Sequence, residues 1–265
     1  MKKENIIVLG RGFLGKEFER QGYKVFGRKE FGWPTIYLDN LDAYHTVINC
    51  IGVADTRYCE DANNWEAVYG VNSHMVGMLS SHCKRYHKRF VHISTACVYD
   101  KNNTPQKETS FLSSHCRYVV SKLAGEFRCN DRDLIIRPRL YFSDQADRNN
   151  LLTKLGKFDY HLNEVNSYTS TRTIVEAVTA LINAKQRGVF NVAQQGYATM
   201  VQICKHLGIA EKPEMTGEQL QQTQGLALVN NIMDISKLQQ FYQPRNVLDE
   251  FNTCWKNYNH GNEIR

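Results

Sequence analysis

No stretch of this 265-residue chain approaches the ~20 consecutive apolar residues that a membrane span requires. Met1-Lys2-Lys3 starts like a secretory leader, but the apolar run Ile6–Leu9 is too short for one and leads into glycines. The eight cysteines, at 50, 59, 83, 97, 116, 129, 204 and 254, include no C-x-x-C pair and no zinc-site spacing. No metal is therefore expected, and free thiols in a reducing cytoplasm are expected rather than disulfides. His82, Cys83 and His87, the one imaginable ligand set, are spread around a helix and read as its solvated end. Repeats and low-complexity blocks are missing as well, since the Gln-rich segment 218–224 is short. Charge of one sign is in small excess: 33 Lys and Arg against 27 Asp and Glu give +6. That balance suits a phosphate-bearing small molecule as well as a nucleic acid. The densest basic run, Lys84-Arg85-Tyr86-His87-Lys88-Arg89, reads as cations placed against the negative end of a helix dipole, so no nucleic-acid partner is expected.

What is present is ordinary globular composition, 42% hydrophobic and 23% charged, which excludes a disordered, collagenous or fibrous chain. The first half alternates apolar runs with helical periodicity, the pattern of an α/β fold with a parallel sheet covered on both faces. Strands are predicted over 5–9, 24–27, 36–38, 46–51, 90–94 and 134–137. Helices are predicted over 13–21, 64–86 and 118–129. In the long helix Val68, Val71, Met75 and Met78/Leu79 recur at steps of three and four, a stripe that reads as core. Beyond residue 140 the pattern weakens to helices over 149–157, 172–185, 200–207, 236–242 and 247–255, with a strand over 189–192. The expected organisation is a Rossmann-type doubly wound domain over 1–140 and a smaller, mostly helical lobe over 141–265. Residues 165–195 partly return to the main sheet.

Gly10-Arg11-Gly12-Phe13-Leu14-Gly15 is G-x-G-x-x-G, placed directly after the first strand and opening a helix. Glycines there allow a tight turn and close backbone approach to a pyrophosphate, and the helix N-terminus adds free N–H groups. The end of the second strand decides which dinucleotide fits. An NAD site puts a carboxylate there, on the ribose 2′-OH; this chain has Gly27-Arg28-Lys29, whose cations would neutralise a 2′-phosphate. NADPH is the cofactor this predicts, with Arg11 as a further phosphate contact.

Tyr118-Val119-Val120-Ser121-Lys122 is Y-x-x-x-K, which puts a phenol and an ammonium on one helix face. A nearby cation lowers the tyrosine pKa, so the phenol can protonate a carbonyl oxygen as hydride reaches its carbon. Thr95, in Ser94-Thr95-Ala96-Cys97-Val98-Tyr99, follows a strand and lies where parallel sheets bind ligands. It could hydrogen-bond the same oxygen.

Glycine loop, strand end and Tyr–Lys pair, in that order, resemble the extended short-chain dehydrogenase/reductase family over nearly the whole chain. The resemblance implies Thr95, Tyr118 and Lys122 as the catalytic triad, and a supporting role for Asn72. It also implies that Cys50-Ile51-Gly52, after the fourth strand, lines the cofactor. Members often pair through two helices across a two-fold, so a homodimer is the assembly implied.

Within the family the chain looks most like reductases of nucleotide-linked 4-keto-6-deoxyhexoses. Three features resemble the bifunctional 3,5-epimerase/4-reductases, such as those of UDP-rhamnose and GDP-fucose synthesis. Cys97, two residues after Thr95, stands where those enzymes carry the base that removes protons beside the ketone. Arg148-Asn149-Asn150-Leu151-Leu152-Thr153-Lys154-Leu155 resembles their R-N-x-x-T-K segment, which implies Lys154 as the partner acid and Arg148 and Asn149 as substrate contacts. Asn49-Cys50-Ile51-Gly52-Val53, Cys59-Glu60 and Asn72 follow their pattern after the fourth strand. Gly188-Val189-Phe190-Asn191-Val192 and Met233-Asp234-Ile235-Ser236-Lys237-Leu238 continue the match as fold markers. Residues 54–58 depart from it, lacking the glycine/proline-rich insert of the plant enzymes. A proton beside a ketone becomes removable when donors hold the developing enolate oxygen, and a thiolate is a competent base. The expected activity is NADPH-dependent 3,5-epimerisation and 4-reduction of an NDP-4-keto-6-deoxyhexose, UDP-linked for preference. Reduction alone, or a non-catalytic NADPH-binding regulatory subunit on the same fold, are the alternatives.

Overall fold

The computed structural model describes residues 2–32, 38–100, 102–114, 116–224 and 231–263. Strands are β1 (Ile6–Leu9), β2 (Lys24–Phe26), β3 (Thr46–Asn49), β4 (Arg89–Ile93), β5 (Asn102–Gln106), β6 (Leu134–Pro138), β7 (Tyr141–Phe142), β8 (His161–Leu162), β9 (Thr169–Ser170), β10 (Gly188–Val192), β11 (Glu214–Met215) and β12 (Asn231–Met233). Helices are α1 (Phe13–Arg20), α2 (Arg28–Phe31), α3 (Thr56–Glu60), α4 (Trp65–Tyr69), α5 (Met75–Arg85), α6 (Arg117–Glu126), α7 (Leu151–Leu155), α8 (Thr171–Asn183), α9 (Met200–Leu207), α10 (Gly217–Gln224), α11 (Ser236–Gln239) and α12 (Val247–Glu263). Residues 36 and 37 of the strand expected over 36–38 lie outside the described residues, and Leu38 opens a 3-10 turn, Leu38–Leu41. Among the described residues no helix is long and apolar enough to cross a membrane.

The central sheet runs β10-β6-β4-β3-β1-β2. Parallel pairing sets Ile7 beside Lys24 and Val47, Val47 beside Phe90, and Val91 beside Leu134. The chain moves outward from β1 to β2, then crosses back to β3, so the strand order reverses between β1 and β3. Ligands of doubly wound sheets bind beyond the strand ends at such a reversal. All four residues of β1 are buried, as are those of β3; strands covered on both faces read as continuous apolar runs.

On one face Ile7, Leu9, Val47 and Phe90 pack with Met75, Val76, Leu79 and Cys83 of α5. Each such side chain contributes about 1.5–3 kcal/mol on burial. The apolar stripe is therefore core, with Leu79 facing inward and Met78 37% exposed. The helix predicted over 64–86 is interrupted: a π-helical turn, Gly70–His74, joins α4 to α5. The expected solvated end holds for His87 alone of its three residues. Cys83 lies in the core, and His82 is buried against the Tyr86 ring at 4.6 Å.

The fold separates into two compact units. The first is Met1–Val98, Leu112–Arg137 and Val178–Phe190; the second is Tyr99–Phe111, Pro138–Ala177 and Asn191–Arg265. The second unit has its own core, in which Phe142 stacks on Phe251 at 3.8 Å amid Leu151, Leu152, Leu155, Tyr168, Ile203 and Val247. Alongside its helices lie three short strand pairs, β5 with β12, β7 with β9 and β8 with β11. Two-residue strands are too short to show a two-residue alternation in sequence.

Candidate active site

In the first unit β1, β3 and β4 lie side by side and parallel. Each hands over at its C-terminal end to a segment singled out in the sequence: Gly10 after β1, Cys50 after β3, and Ser94-Thr95 after β4. Gly10 has φ +102°, a left-handed conformation that favours glycine, and its N–H donates to the Phe26 carbonyl at 2.8 Å. A Cβ on Gly15 would stand 1.8 Å from the Gly10 carbonyl oxygen, so the turn closes on the helix only with glycine there. A Cβ on Gly12 would meet nothing within 4 Å, and no side chain caps the N-terminus of α1. Open space beside uncapped helix N–H groups fits a pyrophosphate.

The two glycines make separable predictions. Gly15→Ala is expected to cost about 3 kcal/mol or more, because backbone must move. Gly12→Ala is expected to cost about 1 kcal/mol or less, the difference between glycine and alanine at a helix cap. Urea denaturation measures both; equal losses would contradict the geometry.

At the end of β2, Gly27 caps α2 and its N–H donates to Glu30 Oε2 at 3.0 Å. Arg28 and Lys29 are exposed and have no ion-pair partner among the described residues. Arg11 is engaged: Nη1 meets Glu30 Oε1 at 2.7 Å, Nε meets Glu19 Oε1 at 3.2 Å, and Nη2 donates to the Val25 carbonyl. The Glu30 hydrogen bond raises the Arg11 pKa, and Glu30, bound by backbone N–H and by Arg11, sits below the usual carboxylate range. The structure thus brings Arg11 to the strand end beside Arg28 and Lys29, held by carboxylates that the sequence reading overlooked.

Lys122 is buried and its Nζ donates to the Ile93 carbonyl at 3.0 Å, which ties α6 to the end of β4 two residues before Thr95. A Cβ on Gly52 would lie 3.6 Å from that Nζ and 3.4 Å from Asn72 Oδ1. Ile51 N–H donates to Asn49 Oδ1 at 3.0 Å, and Cys50 N–H to the Leu9 carbonyl at 2.9 Å. The Cys50-Ile51-Gly52 segment is thereby fixed between the glycine turn and Lys122. Asn72, fully buried in the π-helical turn, exchanges hydrogen bonds with the Val53 backbone at 2.8 and 3.0 Å and donates to Ser121 Oγ at 2.9 Å. Single π-turns often mark functional sites; this one aims an amide at the loop after β3.

Thr95 is buried, and its Oγ1 accepts the Cys97 N–H at 3.1 Å, leaving its own O–H to donate. Cys97 lies half-buried in the turn Ala96–Val98. Its neighbour Cys116 is pushed up to about 11, chiefly by burial. Tyr118 is half-buried on the first turn of α6, one turn before Lys122. Glu60 accepts the N–H groups of Arg117 and Tyr118, both at 3.1 Å, so a carboxylate from α3 caps the helix that carries the pair. A cap 57 residues away has no local signature, and sequence reasoning missed it.

Beneath Lys122, burial first and the lysine charge second hold His92 well below its ordinary value. The neutral ring accepts from Asn49 Nδ2 at 3.3 Å. Arg137 is buried and pairs with Glu126 through Nη2–Oε2 at 2.5 Å and Nε–Oε1 at 3.1 Å; Glu126 also accepts the Ser94 hydroxyl. Burial lowers Lys122 to about 8, against Glu126, which acts to raise it.

Arg148, Asn149 and Lys154 belong to the second unit. The helix there is shorter than predicted because Asn150 caps it, accepting the Leu152 N–H at 3.1 Å. Arg148 and Asn149 therefore precede the helix and are exposed, while Lys154 is half-buried on α7. Among the described residues no group of three or more His, Cys, Asp or Glu could hold a metal ion.

A family model, a known relative and several solved structures resemble this chain. Residues 38–229 match the RmlD substrate binding domain. The uncharacterised protein L780 of Acanthamoeba polyphaga mimivirus is 21% identical over 89% of this chain and 92% of its own. Its crystal structure, described as a UDP-rhamnose synthase, superposes with a TM-score of 0.81 at 17% identity, covering 95% of this chain and 99% of that one. A dTDP-4-dehydrorhamnose reductase of Clostridium acetobutylicum gives 0.80 at 21% identity, over 95% and 98%. The enzyme of that name from Bacillus anthracis, in complex with NADP, gives 0.81 at 16% identity, over 97% and 99%.

Proposed function

Because this chain belongs to the RmlD substrate binding domain family, we propose that it is an NADPH-dependent 3,5-epimerase/4-reductase of a nucleotide-linked 4-keto-6-deoxyhexose. The preferred conversion is UDP-4-keto-6-deoxyglucose to UDP-L-rhamnose. The observation that carries the reading is the site at the strand ends of the first unit, where Lys122 bonds to the β4 carbonyl two residues before Thr95 and borders Gly52 and Asn72. The similarity to the mimivirus UDP-rhamnose synthase favours the UDP sugar. The cytoplasm is the compartment this reading assigns, where eight thiols stay reduced.

Bound NADPH would supply the hydride for C4 of the sugar. The glycine turn and the N-terminus of α1 would hold its pyrophosphate, and Arg28 and Lys29, with Arg11, its 2′-phosphate. Tyr118 gives its phenolic proton to the ketone oxygen O4. Thr95 donates its O–H to the same oxygen. Lys122, as an ammonium, favours the phenolate that Tyr118 leaves behind. Cys97 removes the protons beside the ketone, one at C3 and one at C5, and passes each on to solvent while Thr95 and Tyr118 hold the enolate oxygen. Each carbon takes a proton back, and the R-N-x-x-T-K resemblance assigns that acid to Lys154.

Two measurements follow. Replacing Arg28 and Lys29 by glutamine is expected to raise KM for NADPH about 10-fold or more, with little change for NADH, since each charged hydrogen bond contributes about 1.5–3 kcal/mol. Equal effects on both cofactors would remove these residues from the phosphate site. The activity itself is tested by incubating the protein with NADPH and UDP- or dTDP-4-keto-6-deoxyglucose and identifying the sugar by NMR. An L-rhamnosyl nucleotide supports the proposal. Recovery of the unchanged ketose with both nucleotides refutes it.

A further inference from the structure

Two side chains of α6, Lys122 and Glu126, are one turn apart and dock on two successive residues of the β4 end: Lys122 Nζ on the Ile93 carbonyl and Glu126 on the Ser94 hydroxyl. Arg137 of β6 closes the arrangement from the neighbouring strand, and Ser94 N–H donates to the Ile136 carbonyl at 2.7 Å. Lys122, Ser94, Glu126 and Arg137 are all buried. The other groups acting on Lys122 are the thiols of Cys129, Cys50 and Cys59, which burial keeps protonated, and the His92 ring, which stays neutral. Glu126 is thus the carboxylate of the set among the described residues. A buried ammonium without a counter-charge gives up its proton.

We propose that Glu126, locked by Arg137 and Ser94, is a positioning residue for Lys122: it supplies the buried negative charge that keeps the lysine an ammonium, and through Ser94 it fixes the strand end that receives it. The inference deepens the reading of Lys122 as part of the reductase site and rests on it for its functional meaning. With Lys122 near pH 8, the ammonium is present below that pH and lost above it. Removing the carboxylate moves this loss to lower pH.

The test reads the lysine directly in the protein without cofactor. With ¹³C-lysine labelling and Lys122→Met to assign the resonance, the Lys122 Cε shift is titrated by NMR. Glu126→Gln is expected to lower its midpoint by about one pH unit or more, and Glu126→Asp to restore most of that shift. Because Glu126→Gln strands a buried Arg137, Glu126→Gln/Arg137→Met serves as the variant without a stranded charge, with a smaller downward shift in the same direction. An unchanged midpoint in either folded variant overturns the proposal. The alkaline limb of kcat/KM should move with the midpoint; a limb that stays put while the midpoint moves supports the placement of Glu126 and counts instead against a chemical role for Lys122.

Discussion

Tyr118→Phe is expected to lower kcat for ketone reduction by about 10²–10⁴-fold, the usual contribution of a positioned general acid. The loss should fall on kcat, with NADPH affinity nearly unchanged, because the glycine turn, Arg28 and Lys29 are untouched. The ring remains in place on α6, whose N-terminus is still capped by Glu60, so stability should hold within about 0.5 kcal/mol. Fluorescence titration with NADPH and turnover of the ketose separate these effects. Full activity in the phenylalanine variant would remove Tyr118 as the proton donor.

Cys97→Ala is expected to divide the two half-activities. Turnover of the unepimerised ketose should fall about 10²–10⁴-fold with the loss of the base. Reduction of a ketose already epimerised at C3 and C5 should persist, since Thr95, Tyr118 and Lys122 remain. Solvent deuterium gives a second readout: exchange at C3 and C5 in the wild-type protein should vanish in the variant. Unchanged turnover and exchange would remove Cys97 as the base, whereas no exchange at C3 and C5 even in the wild-type protein would make this a plain 4-keto reductase, the activity for which several structurally similar enzymes are named.

The parts of the candidate site that are legible in sequence are those with a local signature. Gly10, Gly12 and Gly15 announce a strand–turn–helix within six residues: Gly10 takes a positive φ, Gly15 lies against the Gly10 carbonyl, and Gly12 leaves open space at the helix N-terminus. Tyr118 and Lys122 are legible because helical spacing places them on one face. The supports were not legible. Glu60 caps α6 from 57 residues away, and Arg137 reaches Glu126 from the adjacent strand. Nothing in the sequence between such partners distinguishes a buried ion pair from two surface charges. The sequence offers Arg11 as a phosphate contact; its carboxylate partners Glu19 and Glu30 come from two different helices and emerge only once α1 and α2 are placed. The sequence predicts a single helix over 64–86 because its apolar stripe is continuous. A π-turn adds a residue without breaking that stripe, yet it is what turns Asn72 toward Val53.

The most direct test uses NADPH deuterated at the transferable position of the nicotinamide, incubated with the protein and UDP-4-keto-6-deoxyglucose. Deuterium bonded to C4 of the product sugar is the predicted result, accumulating about 10²–10⁴-fold more slowly when Tyr118 is replaced by phenylalanine. A sugar free of label, with the deuterated cofactor recovered intact, would contradict the account.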